Sequence, residues 1–89
     1  MEATGSVKVP DGKLVRVTAT YEETIETVRI TGDFFLEPPE ARADLEAAIQ
    51  GLSADASEGE IAAAVETVDA ELIGFGPADL AAATREALE

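Results

Sequence analysis

The sequence predicts an α+β fold, an antiparallel β-meander with about three helices packed on one face. Strand-like alternation is confined to the N-terminal part of the chain, and helical periodicity follows from Pro39 onward. Neither a repeat nor a linker interrupts the 89 residues. Strands followed by helices are typical of a sheet whose helices are segregated to one face. We therefore expect a single domain over residues 1–89 with a modest core, since chains of this length bury roughly 60–65% of their unfolded surface.

Three segments have the pattern of half-buried strands. Residues 7–9 precede Pro-Asp-Gly and predict a short first strand that turns into the second. Residues 13–22 place their apolar side chains on one parity, and residues 25–35 repeat the pattern after a turn at 22–24. Both long runs are rich in β-branched residues, so a long hairpin is expected. The residues that share a face are Val15, Val17, Ala19 and Tyr21 in one run, and Val28, Ile30, Gly32 and Phe34 in the other.

Helical periodicity begins at Pro39, a residue suited to a first helical turn, and Gly51 is expected to end this helix. A second helix is predicted from Ser57, which with Glu60 has the spacing of a capping box. Residues 72–75 are expected to be extended, and Pro77 opens a third helix. The apolar stripes are Ala41, Leu45, Ala48, Ile49 and Leu52, then Ile61, Ala64, Val65, Val68 and Leu72, then Leu80, Ala83, Ala87 and Leu88.

The charge is strongly acidic, with 19 Asp and Glu against 6 Lys and Arg and a net charge of −13. The carboxylates are dispersed and only two lysines occur, a pattern typical of proteins that work in concentrated salt. The alternative is an acidic domain with a basic partner. No basic patch is present to release counterions, so nucleic acid is not an expected partner.

The absence of cysteine and histidine excludes thiolate nucleophiles, imidazole bases and the usual zinc ligands. The carboxylates lack the spacing of a calcium loop, and no metal is expected. Apolar runs fall far short of the ~20 residues that span a bilayer. The N-terminus lacks the pattern of a signal peptide, so a cytoplasmic protein without membrane contact is expected.

Three features are weighed as carriers of chemistry or binding. Asp33 could be a catalytic carboxylate or a turn residue, and we favour the turn because acid–base catalysis needs a second positioned group. Gly12 is expected in a hairpin turn, since a lone glycine beside one lysine does not form a phosphate loop. Four of the six basic residues fall in the meander and could face an anionic substrate or partner, or could pair with Glu22, Glu23 and Glu26 across the strands. They are Lys8, Lys13, Arg16 and Arg29.

Three segments together resemble, in order and spacing, the small C-terminal or accessory domain of lipoate–protein ligases. They are KVPDGKLVRV at residues 8–17, VRITGDFFLEPPEA at 28–41 and ELIGFGPADLAAA at 71–83. Gly-Asp-Phe-Phe before proline and a helix is the most specific part, and K-x-P-x-G-K-L is similar to the archaeal variant. In many bacterial ligases this domain follows the catalytic domain, whereas in some archaea it is a separate polypeptide. The Arg-Arg-x-x-Gly-Gly segment and active lysine of the catalytic domain are absent here.

The resemblance implies a non-catalytic accessory subunit of a two-component lipoate–protein ligase. Its partner would be the catalytic subunit, which uses lipoate, ATP and Mg²⁺ to form lipoyl-AMP before lipoyl passes to a lysine of an acceptor domain. No cofactor is expected on this chain alone, and no residue is expected to be catalytic. Gly32, Phe34 and Pro38 are expected to shape the turn into the first helix. The residues expected near the partner or substrate are Lys8, Lys13, Arg16, Arg29, Asp33 and Phe35.

Two other functions are considered. A stand-alone acidic module could recognise a basic protein through its helices. A small hydrolase using Asp33 is disfavoured because partners for that carboxylate are missing.

Overall fold

The computed structural model describes residues 1–10 and 13–88, so Gly12 and its predicted turn lie outside the described residues. Strands β1, β2 and β3 form an antiparallel sheet in that order, and β4 pairs with β5 as a separate two-stranded ribbon. The predicted α+β class, with a meander and three helices, is confirmed. The elements are β1 Glu2–Lys8, β2 Leu14–Tyr21, β3 Ile25–Gly32, β4 Phe35–Glu37, α1 Ala41–Ile49, α2 Glu58–Glu66, β5 Glu71–Ile73 and α3 Pro77–Ala87.

The core lies between one face of the sheet and the helices. Helix α3 packs on β1 and β2, α1 packs on β3, and α2 contacts both other helices. The predicted inward face of β2 is confirmed, because alternate residues along that strand are buried: Val15, Val17, Ala19 and Tyr21. None of the helices in the described part of the chain is long and apolar enough to cross a membrane.

Strand β1 is longer than the predicted segment 7–9 and begins at Glu2. A Cβ atom added to Gly5 would collide with the Ala83 carbonyl oxygen and would lie 2.5 Å from the Ala87 nitrogen. Glycine therefore lets the β1 backbone approach the α3 backbone directly. Pairing with β2 along its whole length and this contact with the third helix together hold a segment of low β-propensity as a strand.

Strand β3 departs from simple alternation at a bulge. Tyr21 pairs with Ile25 and Thr20 pairs with Thr27, which leaves Glu26 as an extra residue. The bulge turns both Ile25 and Val28 towards the core, although they are three positions apart. The predicted single strand over residues 25–35 is wrong, since β3 ends at Gly32 and the chain then enters the β4–β5 ribbon.

A glutamate from a helix binds one backbone amide on each edge strand of the sheet. The Ser6 amide of β1 donates to Glu86 Oε1 at 3.4 Å, and the Ile30 amide of β3 donates to Glu46 Oε2 at 2.9 Å. These two amides are therefore not available to pair with another strand. Because the helices pack on the inner face, the outer face of the sheet is open to other molecules.

The helix ends largely follow the sequence signals. The Ser57 hydroxyl accepts from the Glu60 amide and the Glu60 carboxylate accepts from the Ser57 amide, both at 3.1 Å, so the predicted capping box is confirmed. Pro77 opens α3 as predicted, and Gly51, with φ +89°, follows the end of α1. Helix α1 begins at Ala41 and not at Pro39, because the Ala41 and Arg42 amides donate to carbonyls only three residues back, those of Pro38 and Pro39, and so form a turn ahead of the α-helix.

Candidate functional site

The Gly32–Asp33 turn ties the end of β3 to the start of β2. Gly32 has φ +151°, and a Cβ there would collide with the Leu14 carbonyl oxygen. Asp33 Oδ1 accepts from the Leu14 amide at 2.5 Å, and the Asp33 amide donates to the Leu14 carbonyl at 3.2 Å. The Asp33 carboxylate thus has the geometry of a turn residue that binds backbone.

The two phenylalanines after this turn have opposite environments. Phe34 is half-buried, packs on the core and has its ring centroid 4.4 Å from that of Phe75, at an interplanar angle of 41°. Phe35 is 64% exposed. The first ring holds the turn against the domain, while the second is presented to solvent.

Phe35 is part of an exposed apolar surface on the β4–β5 ribbon. It pairs across the ribbon with Ile73, which is 38% exposed. The Lys13 ammonium lies 5.6 Å from the Phe35 ring centroid, within the range of a cation–π contact. The Lys13 side chain also runs past Gly74, where an added Cβ would lie 3.3 Å from its Cγ. We call Phe35, Ile73 and the Lys13 side chain the Phe35 patch.

A cleft of about 310 Å³ opens beside the Phe35 patch. Its walls are Arg42, Gly32 and a group of apolar residues: Phe34, Phe35, Leu36 and Pro39. Arg42 is its charged lining residue. The cleft therefore suits an apolar side chain that has a carboxylate next to it. Pro38, which follows a cis peptide bond, is exposed at the start of the turn into α1.

Three cations lie on the outer face of the sheet. Lys8, Arg16 and Arg29 are exposed and are contributed by β1, β2 and β3 respectively. The register pairs Ser6 with Arg16 and Arg16 with Thr31, so the three cations occupy successive diagonal positions across the strands. We call Lys8, Arg16 and Arg29 the sheet cations.

The side chains of the sheet cations form no ion pair or hydrogen bond with another described residue. Thr18 lies opposite Arg29 in the ladder, and Glu22 instead accepts from the Met1 ammonium at 2.6 Å. The cross-strand pairs with Glu22, Glu23 and Glu26 considered from the sequence are therefore not formed within the described part of the chain. These cations remain available to an external anion.

The helical half has the opposite charge. A second cleft, of about 320 Å³, lies between α2 and the start of α3 and is lined by Glu66 and by Val65, Val68, Ala70, Leu72, Phe75 and Pro77. Every charged residue in positions 43–84 is acidic: Asp44, Glu46, Asp55, Glu58, Glu60, Glu66, Asp69, Glu71 and Asp79. The outer sheet face thus carries three cations, whereas acidic residues far outnumber the two helical arginines, Arg42 and Arg85, in the helical half.

The sequence-predicted residues fall into two groups. Lys13, Gly32, Asp33, Phe34 and Phe35 meet at the junction of β2, β3 and the ribbon, whereas the sheet cations lie on the outer face. Sequence reasoning missed Ile73 and Arg42. Ile73 comes to lie beside Phe35 through the pairing of β4 with β5, which has no local sequence signal. Within residues 1–10 and 13–88, no group of three or more Asp or Glu is arranged to hold a metal ion.

Comparison with known proteins gives one informative match. No protein-family model and no curated protein matches the chain. In a solved structure described as an archaeal lipoylation system, a bipartite lipoate protein ligase and its E2 lipoyl domain from Thermoplasma acidophilum, one chain has the same fold with a TM-score of 0.78. The two chains are 27% identical, and the match covers 96% of each. This relates the chain to a lipoylation system without distinguishing which component it resembles.

Proposed function

We propose that this chain is the accessory subunit of a two-component lipoate–protein ligase and is required for ATP-dependent formation of lipoyl-AMP. The supporting observation is the end-to-end match, over 96% of both chains, to a chain in the structure of an archaeal lipoylation system. The ligase-like segments of the sequence favour the accessory subunit among the components of such a system. Residues 28–41 and 71–83 form the turn, the ribbon and the starts of α1 and α3, and they contain Phe35, Ile73 and every lining residue of the cleft except Arg42.

An accessory subunit does not need a nucleophile or a catalytic base of its own. The catalytic subunit binds lipoate, ATP and Mg²⁺, and the accessory subunit covers its site and orders its loops. Covering the site excludes water from an acyl-adenylate that water would hydrolyse. Such a subunit needs a rigid exposed surface more than reactive groups. The Phe35 patch fits this need, since the Gly32–Asp33 turn and Phe34 hold its backbone in place.

The structure of the archaeal lipoylation system also contains an E2 lipoyl domain. A lipoyl domain would receive the lipoyl group on a lysine. This chain has two lysines, and Lys13 lies over the Phe35 ring and along Gly74. Lys8 is exposed at the end of β1. Mass spectrometry after incubation with the catalytic subunit, ATP, Mg²⁺ and lipoate separates the two components. The accessory role predicts an unchanged mass, whereas an acceptor domain would gain one lipoyl group.

A second function is favoured by the acidic helical half and its cleft at α2. A stand-alone module could bind a basic protein by placing an apolar side chain in that cleft beside Glu66. In that case the chain would bind basic partners in the absence of any ligase. A basic partner would bind less tightly as salt rises, because screening weakens the attraction.

The proposed function is tested by measuring lipoyl-AMP formation from lipoate and ATP. The catalytic subunit from the same genome and this chain are assayed singly and together. We expect no adenylation by this chain, little by the catalytic subunit and full activity from the mixture. Charge reversal at Lys13 or Arg16 should weaken the stimulation while the domain stays folded, because exposed substitutions usually change stability by within about 0.5 kcal/mol. Full adenylation by the catalytic subunit alone would exclude the accessory role.

A further inference from the structure

We infer that the outer face of the β1–β2–β3 sheet is a docking surface for the catalytic subunit, and that the surface it meets there is rich in carboxylates. This inference rests on the function proposed above. It assigns a binding role to the sheet cations and leaves the acidic helical half facing away from the partner.

The first support is the accessibility of the sheet cations. The helices cover the inner face, so the outer face is left open to another molecule. Lys8, Arg16 and Arg29 all lie on this open face, and their side chains have no described partner. In a protein with 19 acidic residues, three exposed cations that form no ion pair with a described carboxylate are an unusual concentration of positive charge, and Glu2 is the carboxylate that shares a hollow with one of them, Arg29. A complementary surface would supply the missing partners.

The second support is the charge of the rest of the molecule. An acidic partner is repelled by residues 43–84, in which all charged residues are acidic. The same partner meets cations when it approaches the outer sheet face. Repulsion between the acidic helical half and an acidic partner disfavours docking through the helices. Attraction to the sheet cations favours docking through the outer sheet face. The charge distribution therefore selects one orientation of docking.

The third support is the shape of the face. Diagonal neighbours on a sheet lie roughly 7–8 Å apart, so the sheet cations form a row that suits separate carboxylates along a flat surface. The threonine hydroxyls satisfy one another, with Thr4 and Thr18 oxygens 3.1 Å apart and Thr20 and Thr27 oxygens 2.6 Å apart. The face thus carries few polar groups that docking would leave without partners.

A phosphate ligand fits this face less well than a protein surface does. The hollow beside Arg29, of about 200 Å³, has Arg29 and Glu2 as its charged lining residues, so a single phosphate bound there would meet one cation and one carboxylate, whereas a protein surface can span all three sheet cations. The face also continues towards an apolar surface. Lys8 pairs with Leu14, and the preceding residue, Lys13, lies over the Phe35 ring. A cationic face bordered by an exposed aromatic side chain is suited to a protein partner, since interfaces are enriched in arginine and aromatic residues.

The test compares binding of the catalytic subunit by wild type, the Arg16→Gln/Arg29→Gln double variant and Ala63→Glu, measured by calorimetry. Ala63 is exposed on α2, and its substitution adds negative charge on the opposite half of the molecule. Ala63→Glu shifts the net charge in the same direction as each single Arg→Gln change. Both single variants, Arg16→Gln and Arg29→Gln, are measured with it as matched comparisons. Melting curves check that all variants are folded.

We expect the Kd of the double variant to rise roughly tenfold or more, and the Kd of Ala63→Glu to stay close to that of wild type. In NMR spectra of the isotope-labelled chain, the backbone amide chemical shifts that change on adding the catalytic subunit should be concentrated in β2 and β3. If the wild-type chain binds and the double variant has the same Kd, the docking surface is overturned and the proposed function still stands. The same holds if Ala63→Glu weakens binding as much as the arginine substitutions do. Amide shifts confined to α1 and α2 would have the same meaning. No association of the wild-type chain would overturn both.

Discussion

Alanine substitution of Phe34 and of Phe35 is expected to separate folding from partner binding at adjacent positions. A fully buried phenylalanine loses about 3–5 kcal/mol on truncation to alanine, so half-buried Phe34 should lose about half of that. Its ring contact with Phe75 adds roughly 0.5–1.5 kcal/mol. Phe34→Ala should therefore destabilise the domain by about 2–4 kcal/mol and lower its Tm by roughly 10–30 °C.

Phe35→Ala should instead change the stability of the domain little and weaken its association with the partner. The ring is 64% exposed, and its contact with the Lys13 ammonium is worth only about 0.5–1 kcal/mol at an exposed site. The Tm should therefore fall by less than about 8 °C. Loss of an aromatic contact at the interface should weaken association with the catalytic subunit by roughly five- to tenfold.

Thermal unfolding in a fixed KCl concentration measures the first effect, and stimulation of lipoyl-AMP formation at limiting accessory subunit measures the second. Phe34→Ala is assayed well below its own Tm, where it is folded. Equal losses of stability in the two variants, or unchanged stimulation by Phe35→Ala, would refute the assignment of these side chains.

Three further predictions concern stability. The Tm should rise as KCl increases from low to molar concentration, because salt screens repulsion among the excess carboxylates of a chain with net charge −13; a flat or falling Tm would remove the halophilic interpretation. Gly5→Ala should destabilise the domain by about 1–3 kcal/mol in urea unfolding, because the new methyl group forces β1 away from α3, and Gly59→Ala is the control, since its added Cβ at an exposed helical position would lie at an ordinary contact distance of 3.8 Å from Ser57 Oγ. The Met1 ammonium lowers the pKa of Glu22 by a hydrogen bond and by charge attraction. Because the folded-state pKa lies below the unfolded-state value, this contribution is present above the unfolded-state pKa and is lost as pH falls through the folded-state pKa. Glu22→Gln should therefore lower the Tm slightly at neutral pH and leave it unchanged in strong acid, as followed by circular dichroism.

Local signals account for the parts of the fold that were predicted correctly. The capping box at Ser57 and Glu60, Pro77 at the start of α3 and the alternation in β2 depend on residues close together in sequence. The start of β1 at Glu2 depends on contact between Gly5 and α3, about 80 residues away, so local propensity could not indicate it. The bulge at Glu26 likewise depends on cross-strand pairing.

The candidate site likewise has a part that local sequence signals predict and a part that depends on contacts between distant segments. The turn at Gly32–Asp33 follows from residue type, because glycine allows the positive φ and aspartate accepts backbone amides. The Phe35 patch requires three segments to meet, and neither the pairing of Phe35 with Ile73 nor the approach of Lys13 has a local signal. Alternation placed Arg16 and Arg29 outside the core. Their lack of carboxylate partners emerged only from the strand register.

The central claim is that this chain supports activation of lipoate and not its transfer. The most direct measurement compares the two half-reactions of the catalytic subunit with and without this chain. One is lipoyl-AMP formation from lipoate and ATP, and the other is transfer from preformed lipoyl-AMP to an acceptor domain. The account predicts that adenylation depends on the chain, whereas transfer depends on it much less. Equal dependence of both half-reactions, or dependence of transfer alone, would contradict it.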